Sequence, residues 1–287
     1  MSNVVSDLVR NIPIPRMFKV RQLFATSKIA KDNLPIVLRG QLQQEKFAQA
    51  ITPGMTVAIT VGSRQIANIV TITKTIVEHV REKGGKPFIV AAMGSHGGAT
   101  EEGQRDILSN YGITEATMGC PVKCSMEVVK IGTNEEGMDV FIGKDAAQAD
   151  GIIVNCRIKP HTCFSGPYES GIMKMMTIGL GKQAGADVCH AAGFGQMAKY
   201  VPMFGRAILQ QAKILFAVAV LENAYDETAK IVVLKSDEIA LREPQLLLEA
   251  KSLMAKILVP KCDVLVCDVI GKNFSGGGMD PNITGTF

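Results

Sequence analysis

Three of the four histidines, His96, His161 and His190, stand beside glycines or in loop-like stretches, where an imidazole is presented rather than packed. Imidazole titrates near neutrality, so such groups suit proton transfer or metal ligation. His96 sits in Gly94–Thr100, GSHGGAT, between a predicted strand and a helix that Thr100 can cap. The glycines expose the ring, and the turn can offer backbone N–H groups to an anion. His161 follows the apolar run IIVNCRIKP and precedes a tight turn, FSGP, which supplies the Ser165 hydroxyl and an approachable backbone at Gly166. Lys174 lies in SGIMKMMTIGLG, flanked by Ile172, Met173, Met175 and Met176. An ammonium held among such side chains is partly desolvated, which lowers its pKa and favours a reactive amine. The plain alternative is a snorkelling surface lysine. His190 comes sixteen residues later, in DVCHAAG. Arg64, behind Gly62 and Ser63 in VGSR, offers a fork for a phosphate or carboxylate, or else forms a surface ion pair. The fourth histidine, His79, lies in TIVEHVREKGG among charged residues and reads as a solvated helix position.

His96, His161 and His190 fit a zinc triad with an open position for water, or one metal ligand plus an acid/base pair. Their spacing leaves both open, since none stands at the i, i+4 interval of a helical metal motif. The seven cysteines are Cys120, Cys124, Cys156, Cys163, Cys189, Cys262 and Cys267. An odd number without a CxxC pair argues against a disulfide framework and a four-thiolate zinc site. They read as buried reduced thiols, with Cys163 and Cys189 kept as ligand candidates because they adjoin His161 and His190.

The elements that must position these residues follow from composition and periodicity. With 287 residues, 47% of them hydrophobic, the chain can bury one large core, or one core and the start of another. Tryptophan is absent and aromatics make up 5%, so the core is aliphatic, as in α/β layers. The net charge of +4 is scattered without a Lys/Arg block, which argues against nucleic-acid binding. The N-terminal MSNVVSDLVRNIPIPRMFKV carries an early acid and prolines where a signal peptide needs an apolar stretch. No apolar run reaches membrane-spanning length, so the expectation is a soluble cytoplasmic protein without a membrane partner. Short β-rich runs precede glycines and helical patterns, as in MTVAITVGSR then QIANIVTITKTIVEHVREKGG, and KPFIVAAMGSHGG then ATEEGQRDILSNYG. MDVFIGK, DGIIVNCRI, KILFAVAVLEN and AKIVVLKS continue the rhythm, followed by a helix near 236–256. This is an α/β reading: residues 1–255 form a Rossmann-like parallel sheet flanked by helices. The strand CDVLVCDVIG then begins a second α/β domain, residues 256–287, which breaks off in the glycine-rich KNFSGGGMDPNITGTF and reads as truncated.

AITVGSRQIANI, PFIVAAMGSHGGATEEGQ, the block from Arg157 to His190 and IGKNFSGGGMDPNITG together resemble the nickel-dependent lactate racemase superfamily. The Arg157–His190 block is the most specific part. The resemblance implies a nickel-pincer nucleotide, the nickel complex of pyridinium-3,5-bisthiocarboxylic acid mononucleotide, bound covalently to Lys174. It implies His190 as the nickel ligand, His96 and His161 as the acid/base pair, and Arg64 as a cofactor contact, with Ser63, Ser165 and Gly166 beside it. The implied activity is racemisation or epimerisation of a small 2-hydroxy acid by reversible hydride transfer, which avoids deprotonating an unactivated C–H. Implied partners are the substrate and the proteins that synthesise and insert the cofactor, and a homo-oligomer is compatible. Two departures stand out. Val61 occupies the place of an aspartate three residues before the arginine, and the inserted Pro167–Ser170, PYES, lengthens the spacing from His161 to Lys174. Two other functions stay open: a zinc-dependent hydrolase built on the three histidines, and a non-catalytic nucleotide-binding module.

Overall fold

Continuous apolar strands need cover on both faces, and the computed structural model supplies it on a single mixed sheet. The structure describes residues 4–13, 16–191, 193–259, 261, 263–271 and 278–285. In chain order the principal elements are α1 (Leu34–Leu42), β1 (Thr56–Val61), α2 (Ile69–Glu82), β2 (Lys86–Ala91), α3 (Glu101–Asn110), β3 (Val122–Lys123), β4 (Val128–Thr133), β5 (Asp139–Gly143) and β6 (Gly151–Arg157). A helical turn, Ile172–Lys174, then runs into a π-helical stretch, Met175–Leu180. After these come α4 (Lys182–His190), α5 (Met197–Gln211), β7 (Ile214–Glu222), β8 (Thr228–Lys235) and α6 (Ser236–Leu253).

Six strands form one sheet in the order β3-β2-β1-β6-β7-β8, parallel except for β8. Side chains alternate between its faces. On β6 and β7, Ile152, Val154, Cys156, Ala217, Ala219 and Leu221 join the cluster under α4, α5 and α6. Ile153, Phe216, Val218 and Val220 point the other way, into the cluster with Leu34, Leu38, Leu42, Ile72, Ile76 and Val80 from α1 and α2. Residues from β1 to α6 thus share one α/β fold, as their periodicity predicts.

Two strands depart from the expected parallel pattern. AKIVVLKS is β8, antiparallel to β7, and MDVFIGK is β5, which pairs only with β4 in a separate antiparallel ribbon. Chain length explains both. Only residues 223–227 and 134–138 connect the paired strands, enough for a hairpin but far short of a parallel crossover. The expected strand CDVLVCDVIG is not one over its described part: residues 263–271 carry no strand, and Val264, Val266 and Val269 are exposed. The sheet edges are β3 and β8, and this segment pairs with neither. Cys262 and residues 272–277 of the glycine-rich stretch lie outside the described residues.

His79 is a further correction. It is 1% exposed on α2, its Nε2 has no hydrogen-bond partner among the described residues, and burial lowers its pKa. Its position, three residues after Ile76 and seven after Ile72, places it on the apolar stripe, while Arg81 and Glu82 in the last turn of the helix are exposed. No helix among the described residues is long and apolar enough to cross a membrane.

Candidate functional site

Strand order reverses between β1 and β6, since β2 and β3 extend one way and β7 the other. In open α/β sheets the carboxyl ends of the strands at such a switch point form a ligand crevice. Here they line a cavity of ≈ 370 Å³, reached by Arg64, His96, His161, Lys174 and His190. Ser63 also lines it, at the end of β1. Ser165 and Gly166 do not. Their polar groups turn to Glu169, with Gly166 N–H donating to Oε1 at 3.2 Å and the Ser165 hydroxyl at 3.4 Å.

The His96 turn is built from backbone geometry. Gly97 has φ 68°, and a Cβ there would sit 2.5 Å from the Gly103 carbonyl carbon, so the turn packs directly on the first turn of α3. Thr100 caps that helix, its hydroxyl accepting from Gly103 N–H at 3.1 Å. From beneath, the buried Gln104 donates to the carbonyls of Gly94 (2.9 Å) and His96 (3.2 Å). Its Oε1 accepts from the buried Lys182 Nζ at 3.1 Å, which also donates to Ala91 O at 2.6 Å. Desolvation brings the Lys182 pKa down to about 8. Above this base, His96 Nδ1 pairs with the Ser63 hydroxyl. Burial, Arg64 and Lys174 lower the pKa of the ring, so it is neutral at pH 7.

His161 and Lys174 face the same space. Cys163 N–H donates to His161 Nδ1 at 3.0 Å, so the neutral ring carries its hydrogen on Nε2. The ring lies against Phe164, centroids 4.3 Å apart, and Lys174 Nζ is 5.9 Å from the Phe164 centroid. Burial first, then Lys174, Lys159 and Arg64, push the His161 pKa down to about 3. Burial, Lys159 and Arg64 hold Lys174 at about 8. It is therefore the desolvated amine that its apolar neighbours predict, not a snorkelling one. His190, at the end of α4, has its pKa lowered by burial and Lys174, which favours the neutral imidazole, the form that ligates metals.

Sequence reading missed three groups. Arg157 and Lys159 line the cavity, and Arg157 pairs with the buried Glu222. Glu243, 1% exposed on α6, accepts from Met173 N–H at 2.9 Å and so caps the turn that carries Lys174. A Cβ at Gly171 would overlap its carboxylate. The signal was its register: Glu243 lies four residues after Ile239 and four before Leu247, on the buried stripe. Burial raises its pKa to about 7. Val61, where the resemblance leads one to expect an aspartate, is a buried core residue on the α2 face.

Although the three histidines border one cavity, no three His, Cys, Asp or Glu side chains among the described residues gather as a metal cluster. Cys189 is buried against Met197, its thiol pushed up to about 11, and Cys120, Cys124 and Cys156 are buried free thiols. Cys163 and Cys267 are exposed.

A family model described as the lactate racemase N-terminal domain matches residues 6–200. Among solved structures, the lactate racemase apoprotein from Thermoanaerobacterium thermosaccharolyticum is similar, with 17% sequence identity and a TM-score of 0.61 over 80% of this chain and 57% of that one. At this identity the likeness is one of fold, and this chain spans little more than half the length of that structure. No curated protein matches the chain. The family match covers more than half of the chain and includes Arg64, His96, His161, Lys174 and His190. The chain belongs to the lactate racemase N-terminal domain family.

Proposed function

We propose that the cavity is the cofactor site of a racemase or epimerase of small 2-hydroxy acids, and that its cofactor is a nickel-pincer nucleotide. The observation that carries this reading is the convergence of a desolvated amine, two imidazoles suited to proton transfer and one exposed imidazole on a single crevice at the switch point. The donor set fits the group. With His190 assigned to the metal and no group of three ligating side chains among the described residues, an organic cofactor would supply the remaining ligands. Lys174, at about 8, has a usable neutral fraction near pH 7–8 for an acyl bond to such a cofactor. Arg64, Arg157 and Lys159 supply charge for its phosphate and for a substrate carboxylate.

When bound, the cofactor supplies an electron-poor ring that can accept and return hydride. The chain's own residues handle the proton. His96, in the tautomer whose Nδ1–H donates to the Ser63 hydroxyl, takes the substrate hydroxyl proton at Nε2. His161 presents Nε2–H to the substrate oxygen, and to give that proton up the ring must first be protonated at Nδ1 in place of the bond from Cys163 N–H, which leaves Nε2 basic afterwards. The opposite direction exchanges the two roles. An acyl bond at Lys174 and a bound anion both remove positive charge that depresses the His161 pKa, so loading moves that ring toward a useful range. Loading itself requires the proteins that make and insert the cofactor. A non-catalytic nucleotide-binding module would use the same cations and is separated from this reading by turnover.

The test is racemisation of enantiopure 2-hydroxy acids by cofactor-loaded protein. His96→Ala and His161→Ala should each lower kcat about 10²–10⁴-fold, the usual worth of a general acid or base. Unchanged rates in both variants refute the acid/base assignment.

A further inference from the structure

Pro167–Ser170, which the family resemblance marks as an insertion, does something specific to His161. The loop that carries His161 is closed at its base, where Lys159 N–H donates to Ser170 O at 2.9 Å and Ser170 N–H to Lys159 O at 3.1 Å. Inside it, the Glu169 carboxylate is 1% exposed. Its Oε2 accepts from His161 N–H at 2.7 Å, and its Oε1 accepts from Gly166 N–H, the Ser165 hydroxyl and, at 2.6 Å, Lys251 Nζ. Tyr168 adds a bond from its hydroxyl to Ala240 O. Ala240 and Lys251 both belong to α6, so the insertion ties the loop to that helix at two points.

A surface insertion has no need of a buried carboxylate, because burying one is costly unless its oxygens are well supplied with donors. Glu169 has four, and two of them are backbone N–H groups of the loop itself. Charge-assisted bonds of this kind are the strong ones. The His161 carbonyl is held as well, accepting from Asn282 Nδ2 at 3.0 Å. Both backbone polar groups of His161 are therefore fixed, one of them by the insertion.

We propose that Pro167–Ser170 is a latch and that Glu169, closed by Lys251, is a positioning residue for His161. It sets the reach of the imidazole into the cavity without touching the reacting atoms. The functional consequence rests on the proposed role of His161, but the placement can be tested without turnover.

The experiment is histidine modification by diethylpyrocarbonate at pH 7, followed by peptide mass mapping, on wild type and on Glu169→Ala, Glu169→Gln and Lys251→Met. At that pH the imidazoles of the cavity are neutral, so rates report access and mobility. In Glu169→Ala, His161 should react about tenfold faster, while His96 and His190 change by less than about twofold. Glu169→Gln, which keeps an acceptor, should rescue part of the effect, and Lys251→Met should give a smaller rise. If Glu169→Ala does not fold, the Gln and Met variants carry the test. An unchanged His161 rate in the folded variants, or an equal rise at all three histidines, overturns the latch. Absence of racemisation would defeat the proposed function and leave the modification result standing.

Discussion

At the scale of single residues, the account turns on groups made reactive by removal from water. Lys174 is the clearest. Burial favours its neutral form and neighbouring cations add to that, so its proton leaves near pH 8, not near 10.5. The sign is fixed: acylation needs the free amine, and the labelling rate must rise through pH 8 and level off above it. Trace labelling with an acylating reagent, read by peptide mass mapping, should give that midpoint for Lys174, with the exposed lysines of the chain as the comparison. A Lys174 profile that tracks the exposed lysines contradicts the desolvated amine. This property was legible in the sequence, because four apolar neighbours bracket the lysine. Glu243 was legible only as a buried position: its role as a cap depends on α6 crossing the start of the Lys174 turn, a long-range contact that no local pattern encodes. His79 was legible in principle from its place on the Ile72–Ile76 stripe, but the charged residues around it in sequence obscured that face.

At the scale of elements, the site depends on turns that bring backbone against backbone. The His96 turn has no room for a side chain at Gly97 or Gly103, since each would drive a Cβ into the other's backbone. Gly97→Ala adds a positive-φ penalty to that overlap and should destabilise the fold by about 1–3 kcal/mol, measured by urea unfolding. Gly98→Ala offers a control. It also has positive φ, but its Cβ would meet nothing within 4 Å, so it should cost less. Equal losses in the two variants would remove the packing argument. The glycines of GSHGG announced this turn from sequence alone. The direction of β8 and the separate β4–β5 ribbon were less legible. Strand-forming composition does not state direction, and only the short connections, with Asn223 and Gly137 in them, carried that information. The contribution of α6 was hidden for the same reason as Glu243. The sequence shows a helix there, but not that Ala240, Glu243 and Lys251 would hold the His161 loop and the Lys174 turn from one side.

At the scale of the whole molecule, a modest net charge of +4 conceals a strongly cationic crevice. Arg64, Arg157, Lys159 and Lys174 all border it; Arg157 pairs with Glu222, and Asp280 and Glu222 offset part of the charge on Lys159. Such a concentration is costly in an empty crevice and is offset by an anionic ligand, which agrees with a phosphate-bearing cofactor and a carboxylate substrate. The helices on one face of the sheet, α4, α5 and α6, bear on the residues that would hold the cofactor, whereas α1 and α2 on the other face serve the core.

The central claim is that Lys174 tethers a nickel-bearing nucleotide in this crevice. Protein co-expressed with the cofactor-synthesis proteins should show, by intact mass and metal analysis, one adduct per chain that maps to Lys174, together with about one equivalent of nickel. Both should vanish in Lys174→Ala, and nickel should fall in His190→Ala. Unmodified Lys174 and no nickel in protein matured beside a family member that does acquire them would contradict the claim.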